Sequence, residues 1–174
     1  MLCVLAAVLL VFHSSVAERA TGWEHFHVRG LDEWAIESIE RGHIGSPTVR
    51  ALVRDLAASD LIVHVGTATT LPHGLGGMTQ LVFDAGKYRY ARITLDRNLT
   101  PDPRAAMLAH ELQHALELAR SEARTDQAVL DLYRRIGHRV GGQRPSYDTL
   151  AAQRAGARAW SELQSYTAPA VPQR

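Results

Sequence analysis

Apolar residues recur along this chain at two different periods, and the switches between them divide it into elements. WEHFHV at 23–28 alternates like a short strand, and DEWAIESIERG at 32–42 reads as a helix closed by Gly42 and Gly45. Ser46-Pro47 then supplies a cap and a first helical proline, followed by Val49, Leu52, Val53 and Leu56 at helical spacing. LIVHVG at 61–66 is short, β-branched and ended by glycine, which predicts a buried strand. TATTLPHGLGGMT at 67–79 is turn-rich and reads as a mobile loop. QLVFDAGKYRYARITLD predicts a hairpin, with strands at 80–83 and 88–95 around a turn at 84–86. In its second strand Ala91, Ile93 and Leu95 share a core face, while Tyr90, Arg92 and Thr94 look outward.

No glycine or proline interrupts residues 104–120, so a long helix is expected there, capped by Asp102-Pro103. Helices at 125–136 and 149–164 follow, joined by the linker GHRVGGQRPSYD at 137–148, and residues 166–174 read as a disordered tail. The expected fold class is α+β: a small antiparallel or mixed sheet whose edge strand packs on the 104–120 helix, followed by C-terminal helices.

The N-terminus reads differently. Residues 1–17 contain no Lys, Arg, Asp or Glu, and an apolar stretch at 2–12 ends in the small-x-small sequence Ser15-Val16-Ala17. This predicts a signal peptide cleaved after Ala17, hence an exported protein, periplasmic or extracellular, without a lasting membrane anchor. The single cysteine, Cys3, lies within that segment, so the mature chain would rely on burial instead of disulfides. The expected organisation is a signal peptide at 1–17, an N-terminal region of unknown role at 18–45, and one domain at 46–165. Composition fits a globular domain, 46% hydrophobic and 21% charged. Its 19 basic residues, all but one arginine, are interspersed among 18 acidic ones, which gives no nucleic-acid signature.

Candidate chemistry centres on LAHELQHALE, 108–117. Positions i and i+4 share a helix face, so His110 and His114 can aim at one point, a geometry suited to tetrahedral zinc. Glu111 is turned about 100° from His110, beside the metal instead of on it, where it can take a proton from water and act as general base. The third ligand is open. Asp148, before the last helix, ranks first and Asp131 second, with Glu122, Asp126, Glu117 and His138 as further candidates. Glu117 shares the histidine face but lies ~7 Å along the axis from the pair's midpoint, which suits support of His114 better than ligation.

The HExxH phrase resembles the zincin metallopeptidases, and within them gluzincins; the wider phrase HELQHALE is similar to that of small secreted bacterial proteins. The resemblance implies zinc bound by His110 and His114, Glu111 as catalytic base, and an edge strand, expected at 88–95, that pairs with an extended peptide or protein substrate. The longer metzincin pattern fails, because Glu117 and Arg120 occupy its glycine and third histidine positions. No NExxxSD segment supplies a gluzincin glutamate. A non-catalytic, zinc-stabilised binding module is the competing reading. So is an ordinary helix that happens to carry two histidines.

Among other residues, His25 and His27 suggest either a second metal site or an exposed strand, and His64 a buried, hydrogen-bonded histidine. Tyr133 and Tyr147 are candidate oxyanion donors or packing residues.

Overall fold

The computed structural model describes residues 27–140 and 146–166. The segment 1–17 expected to be a signal peptide, His25 and most of the expected tail lie outside these residues. Among the described residues the fold is α+β, with a small mixed sheet and five α-helices. In chain order the elements are β1 (Val28–Gly30), α1 (Glu33–Gly45), α2 (Pro47–Ala57), β2 (Leu61–Ala68), β3 (Gly77–Asp84), β4 (Arg89–Asp96), α3 (Pro101–Ala119), α4 (Asp126–Ile136), β5 (His138–Val140), β6 (Ser146–Asp148) and α5 (Leu150–Ser165).

The sheet order is β1-β2-β4-β3, with β1, β2 and β4 parallel and β3 antiparallel to β4. This corrects the expectation for the edge. The strand at 88–95 lies inside the sheet, because β2 pairs with it along its whole length, and the free edge beside α3 belongs to β3. The predicted loop at 67–79 is also shorter than expected. β2 runs on to Ala68 and β3 begins at Gly77, leaving one 3-10 turn, Pro72–Gly74, between them. The alternation along β4 matches expectation: Ala91, Ile93 and Leu95 are fully buried and Arg92 is exposed.

β1 and α1 pack into the core formed with the later elements. Val28, Ala35 and Ile39 belong to the same buried cluster as Val63, Ile93, Leu108 and Leu112, so a boundary at residue 46 separates no two cores. A single asparate fixes this first unit. Asp32 caps α1 by accepting from Ala35 N at 2.9 Å, and also accepts from Thr67 N at 2.7 Å, tying the helix start to β2.

α3 is the central element, packed against α1, α2, α5 and strands β2, β3 and β4. It starts two residues earlier than Asp102-Pro103 suggests, with Thr100 as cap residue and Pro101 at the first position, as proline's fixed φ allows. Its alanines meet a matching small-residue face of α5, where Ala152, Ala155 and Ala159 are buried. At Gly156 an added Cβ would lie 3.2 Å from His110 Cβ, so the glycine lets the two helices approach at the level of the motif. The linker at 137–148 contains the antiparallel ribbon β5–β6. Among the described residues, no helix is long and apolar enough to cross a membrane.

Burial of α3 creates a problem at its C-terminal end, where main-chain carbonyls have no partner within the helix. Arg89, at the start of β4 and 3% exposed, reaches this end. Its guanidinium donates to the carbonyls of Leu118, Ala119, Ser121 and Ala123 at 2.8–3.0 Å and pairs with both carboxylate oxygens of Asp60. A cation here also opposes the negative end of the helix dipole. Replacing Arg89 with Met should therefore cost about 3–5 kcal/mol in unfolding free energy, measured by denaturant titration, because Asp60 loses its closest cation and the carbonyls of Ala119, Ser121 and Ala123 lose their guanidinium donor. The Arg89 hydrogen bond holds the Asp60 carboxyl below its ordinary range. Since the folded value lies under the unfolded one, the stabilisation is complete above about pH 4 and is lost as pH falls through the folded value. Asp60→Asn should flatten this acid limb in pH-dependent melting curves.

Candidate metal centre

The helical spacing of the motif does what geometry requires: His110 and His114 lie on one face of α3, ring centroids 5.0 Å apart. Asp148 completes the group. It ends β6, and its Oδ1 lies 3.2 Å from His110 Nε2 and 3.5 Å from His114 Nε2. One donor atom from each of the three residues falls within 4.8 Å of the others, a cluster able to hold a metal ion. Two imidazole nitrogens and a carboxylate oxygen form a donor set that borderline divalent ions accept.

Asp148 has its side chain available because another residue caps α5. The cap is Thr149, whose hydroxyl accepts from Ala152 N at 3.1 Å. Asp148 itself accepts from Thr149 N at 2.7 Å and from Gln153 Nε2 at 2.8 Å, which hold its carboxylate towards the histidines.

The Thr149 hydroxyl also donates to Glu117 Oε1 at 2.7 Å, and Glu117 Oε2 lies 3.0 Å from His114 Nδ1. Glu117 thus supports His114 from behind and leaves Nε2 facing Asp148, the carboxylate–histidine arrangement that orients metal-binding imidazoles. Burial would pull the His114 pKa down, but the bonds to Asp148 and Glu117 outweigh it and raise it to about 9. His110 moves the other way, lowered by burial and by its neighbour His114. The two carboxylates therefore call for one positive charge beside His114, which a proton or a metal ion supplies.

Glu111 lies on the adjoining face, 4% exposed, beneath the first residues of β3. Thr79 donates its hydroxyl to Glu111 Oε2 at 2.7 Å. Burial raises the Glu111 pKa, against the opposing effects of the His114 charge and the Thr79 bond. The close approach depends on Gly77, where an added Cβ would lie 2.8 Å from Glu111 Cγ and Oε1.

The remaining candidates lie elsewhere. Asp131 bonds Gln127 and Arg134 on the exposed side of α4; it does not face His114, because α4 turns Tyr133 inward instead. The Tyr133 hydroxyl donates to the main-chain oxygen of His114 at 3.0 Å, so it holds the helix. Glu122 is exposed, Asp126 stands on the rim of the cleft, and His138 is exposed, 3.4 Å from Gln153 Nε2. His27 packs edge-on against Tyr88 and gathers no partner ligand among the described residues. His64 is half-buried and stacks near Tyr90, with no hydrogen bond among the described residues.

Thr79 and Gly77 are the contributors the sequence reading missed. Their segment has a turn-rich composition, although the alternation of Met78 and Gln80 with Thr79 and Leu81 already extends the strand pattern towards Gly77.

These groups line one open cleft of about 800 Å³ between β3 and α4, with α3 as floor and β6 at one end. Tyr147 also faces it. No protein-family model matches the chain, and no curated protein or solved structure is significantly similar to it.

Divalent-metal titration by calorimetry should find one site per chain, lost in His114→Ala. Glu117→Gln should weaken it about ten- to a hundredfold, as loss of an orienting carboxylate does. Asp131→Asn should leave it unchanged. Affinity should rise with pH up to about 9, because the ion displaces the His114 proton.

Proposed function

We propose that this protein is a zinc-dependent peptide hydrolase of the zincin type, in which His110, His114 and Asp148 hold the ion and Glu111 is the base. The observation that carries this reading is the placing of Glu111 and the three donors on the wall of one open cleft, along a free strand edge. Two histidines and one carboxylate are a ligand set of catalytic zinc sites, which keep a further position for water or substrate. A bound zinc ion contributes Lewis acidity, polarising a carbonyl and acidifying water.

The chain's own residues do the rest. Glu111 accepts a proton at its carboxylate and returns it to the departing amine, and its burial raises its proton affinity for that purpose. Thr79 holds Oε2 and so fixes the plane of the carboxylate. Glu117 and Thr149 orient His114, and Gln153 orients Asp148. The outer edge of β3 carries main-chain groups free to pair with an extended substrate, which would lie across Glu111. An α+β fold in which an edge strand runs beside the HExxH helix supports the zincin reading. Asp148 takes the place of the glutamate that a gluzincin provides from a later helix.

A zinc-stabilised binding module would enclose its ion with four protein ligands. Among the described residues, no fourth His, Cys, Asp or Glu joins the cluster, which favours the open, catalytic reading.

Glu111→Gln should keep the metal while lowering peptide hydrolysis at least about a hundredfold, the smaller end of general-base contributions. The measurement is the appearance of new termini in a mixed peptide library, followed by mass spectrometry. Equal hydrolysis by wild type and the metal-loaded variant would sink the mechanism. A chelator should abolish turnover, and added zinc should restore it.

A further inference from the structure

The sheet has a second face, turned away from the helices. Register places Arg29 of β1 opposite His64 of β2, His64 opposite Arg92 of β4, and Arg92 opposite Gln80 of β3. These four side chains stand in one row across the sheet, on the face opposite buried Val63, Val65, Ala91 and Ile93. Arg29 and Arg92 are both exposed. Neither has an acidic partner or a hydrogen bond among the described residues, whereas seven other described arginines, Arg41, Arg54, Arg89, Arg104, Arg120, Arg124 and Arg134, pair with a carboxylate. Their charges reach His64, which is lowered first by burial and then by both of them.

Among the described residues, no carboxylate lies within ion-pair distance of either guanidinium. The one carboxylate among the strand residues of this face is Asp96, four residues beyond Arg92 and ~13 Å along the strand at strand rise. It is already engaged by Asn98. Beside the row, Phe83 stacks on Tyr90 with centroids 4.3 Å apart, and Phe83 is 52% exposed.

The row also connects to the cleft. Gln80 and Arg92 line it together with Thr79 and Glu111, so the cleft continues around the edge of β3 onto the outer face. Neighbouring strands lie about 4.8 Å apart, which sets Arg29 and Arg92 roughly 10 Å from each other, a span of about three residues of an extended peptide.

We propose that the Arg92–His64–Arg29 row is a recognition strip for an acidic peptide segment, so that the protein selects polypeptides carrying Asp or Glu residues to one side of the segment held in the cleft. The inference rests on the peptide-hydrolase reading for its occupant and extends it to substrate class. The fit is one of charge: two unpaired guanidinium groups on an open face accept carboxylates bidentately, and the aromatic pair beside them covers the apolar part of the chain. An acidic segment also gains an electrostatically accelerated approach. Single-stranded nucleic acid would meet the same cations, but the ring faces of Tyr90 and Phe83 are stacked on each other instead of being spread for successive bases.

The test uses the full chain with Glu111→Gln, so that bound peptide is not consumed, and the same protein carrying Arg29→Gln and Arg92→Gln. Fluorescence anisotropy follows a labelled glutamate-rich peptide, its glutamine counterpart and a labelled oligothymidylate. The expected result is binding of the glutamate peptide that is at least tenfold tighter than that of the glutamine peptide, weakens with salt, and falls at least tenfold in the double variant. Melting temperature and zinc content should be the same in both proteins, which separates loss of the strip from loss of the fold or the metal centre. Equal binding of the two peptides, or unchanged binding in the double variant, would overturn the proposal. Tighter, arginine-dependent binding of the oligothymidylate would overturn it in favour of nucleic acid. Glutamate-peptide binding that depends on the arginines, in a wild type that cleaves nothing, would leave the strip standing and remove the hydrolase reading.

Discussion

A helix buried on nearly every side must find partners for the carbonyls at its end, and in this fold one arginine provides them. Arg89 fixes the C-terminal end of α3 to the start of β4 and to Asp60, so helix and sheet cannot slide against each other. Everything in the candidate centre is measured from α3. The position of His110 and His114 relative to β3 on one side and β6 on the other follows from how that helix is seated.

At its other end α3 is held by a second buried arginine. Arg104 donates to Ser38, to the carbonyl of Leu99 and to Glu37, and its guanidinium lies over Trp34. The two buried guanidinium groups thus bracket the motif, one per end. Between them the packing is made by small residues, and the glycines do a specific job. Gly156 admits α5 against His110, while Gly77 admits β3 against Glu111. A larger side chain at either position would meet the very residues that carry the chemistry.

Electrostatics in the centre is arranged around a shortage of positive charge. Glu111, Glu117 and Asp148 surround two histidines, and the hydrogen bonds from Thr79, Thr149 and Gln153 satisfy the carboxylates only in part. Partly satisfied buried carboxylates are costly without a cation. A proton on His114, or a divalent ion held by His110, His114 and Asp148, would offset that cost.

Much of this was legible in the sequence, because it depends on local rules. The helices at 47–57, 126–136 and 150–165 carry their caps and apolar periods openly, and four-residue spacing alone brings His110 and His114 to one face. Glu117 could be assigned to support of His114, since the helix rise sets its distance along the axis. Asp148 could be ranked but not selected, because choosing among acidic residues requires knowing which of them is occupied as a cap, and that role fell to Thr149. The edge strand was misplaced for a related reason. Alternation tells which face of a strand is buried, but strand order is set by pairing between distant segments, and the parallel pairing of β2 with β4 pushed β3 to the rim. Thr79, Gly77 and the row from Arg29 to Arg92 emerge only from that pairing. The sequence by itself determined the elements and the two histidines; tertiary structure decided the third donor, the cleft edge and the outer face, since these are properties of contacts between segments far apart in the chain.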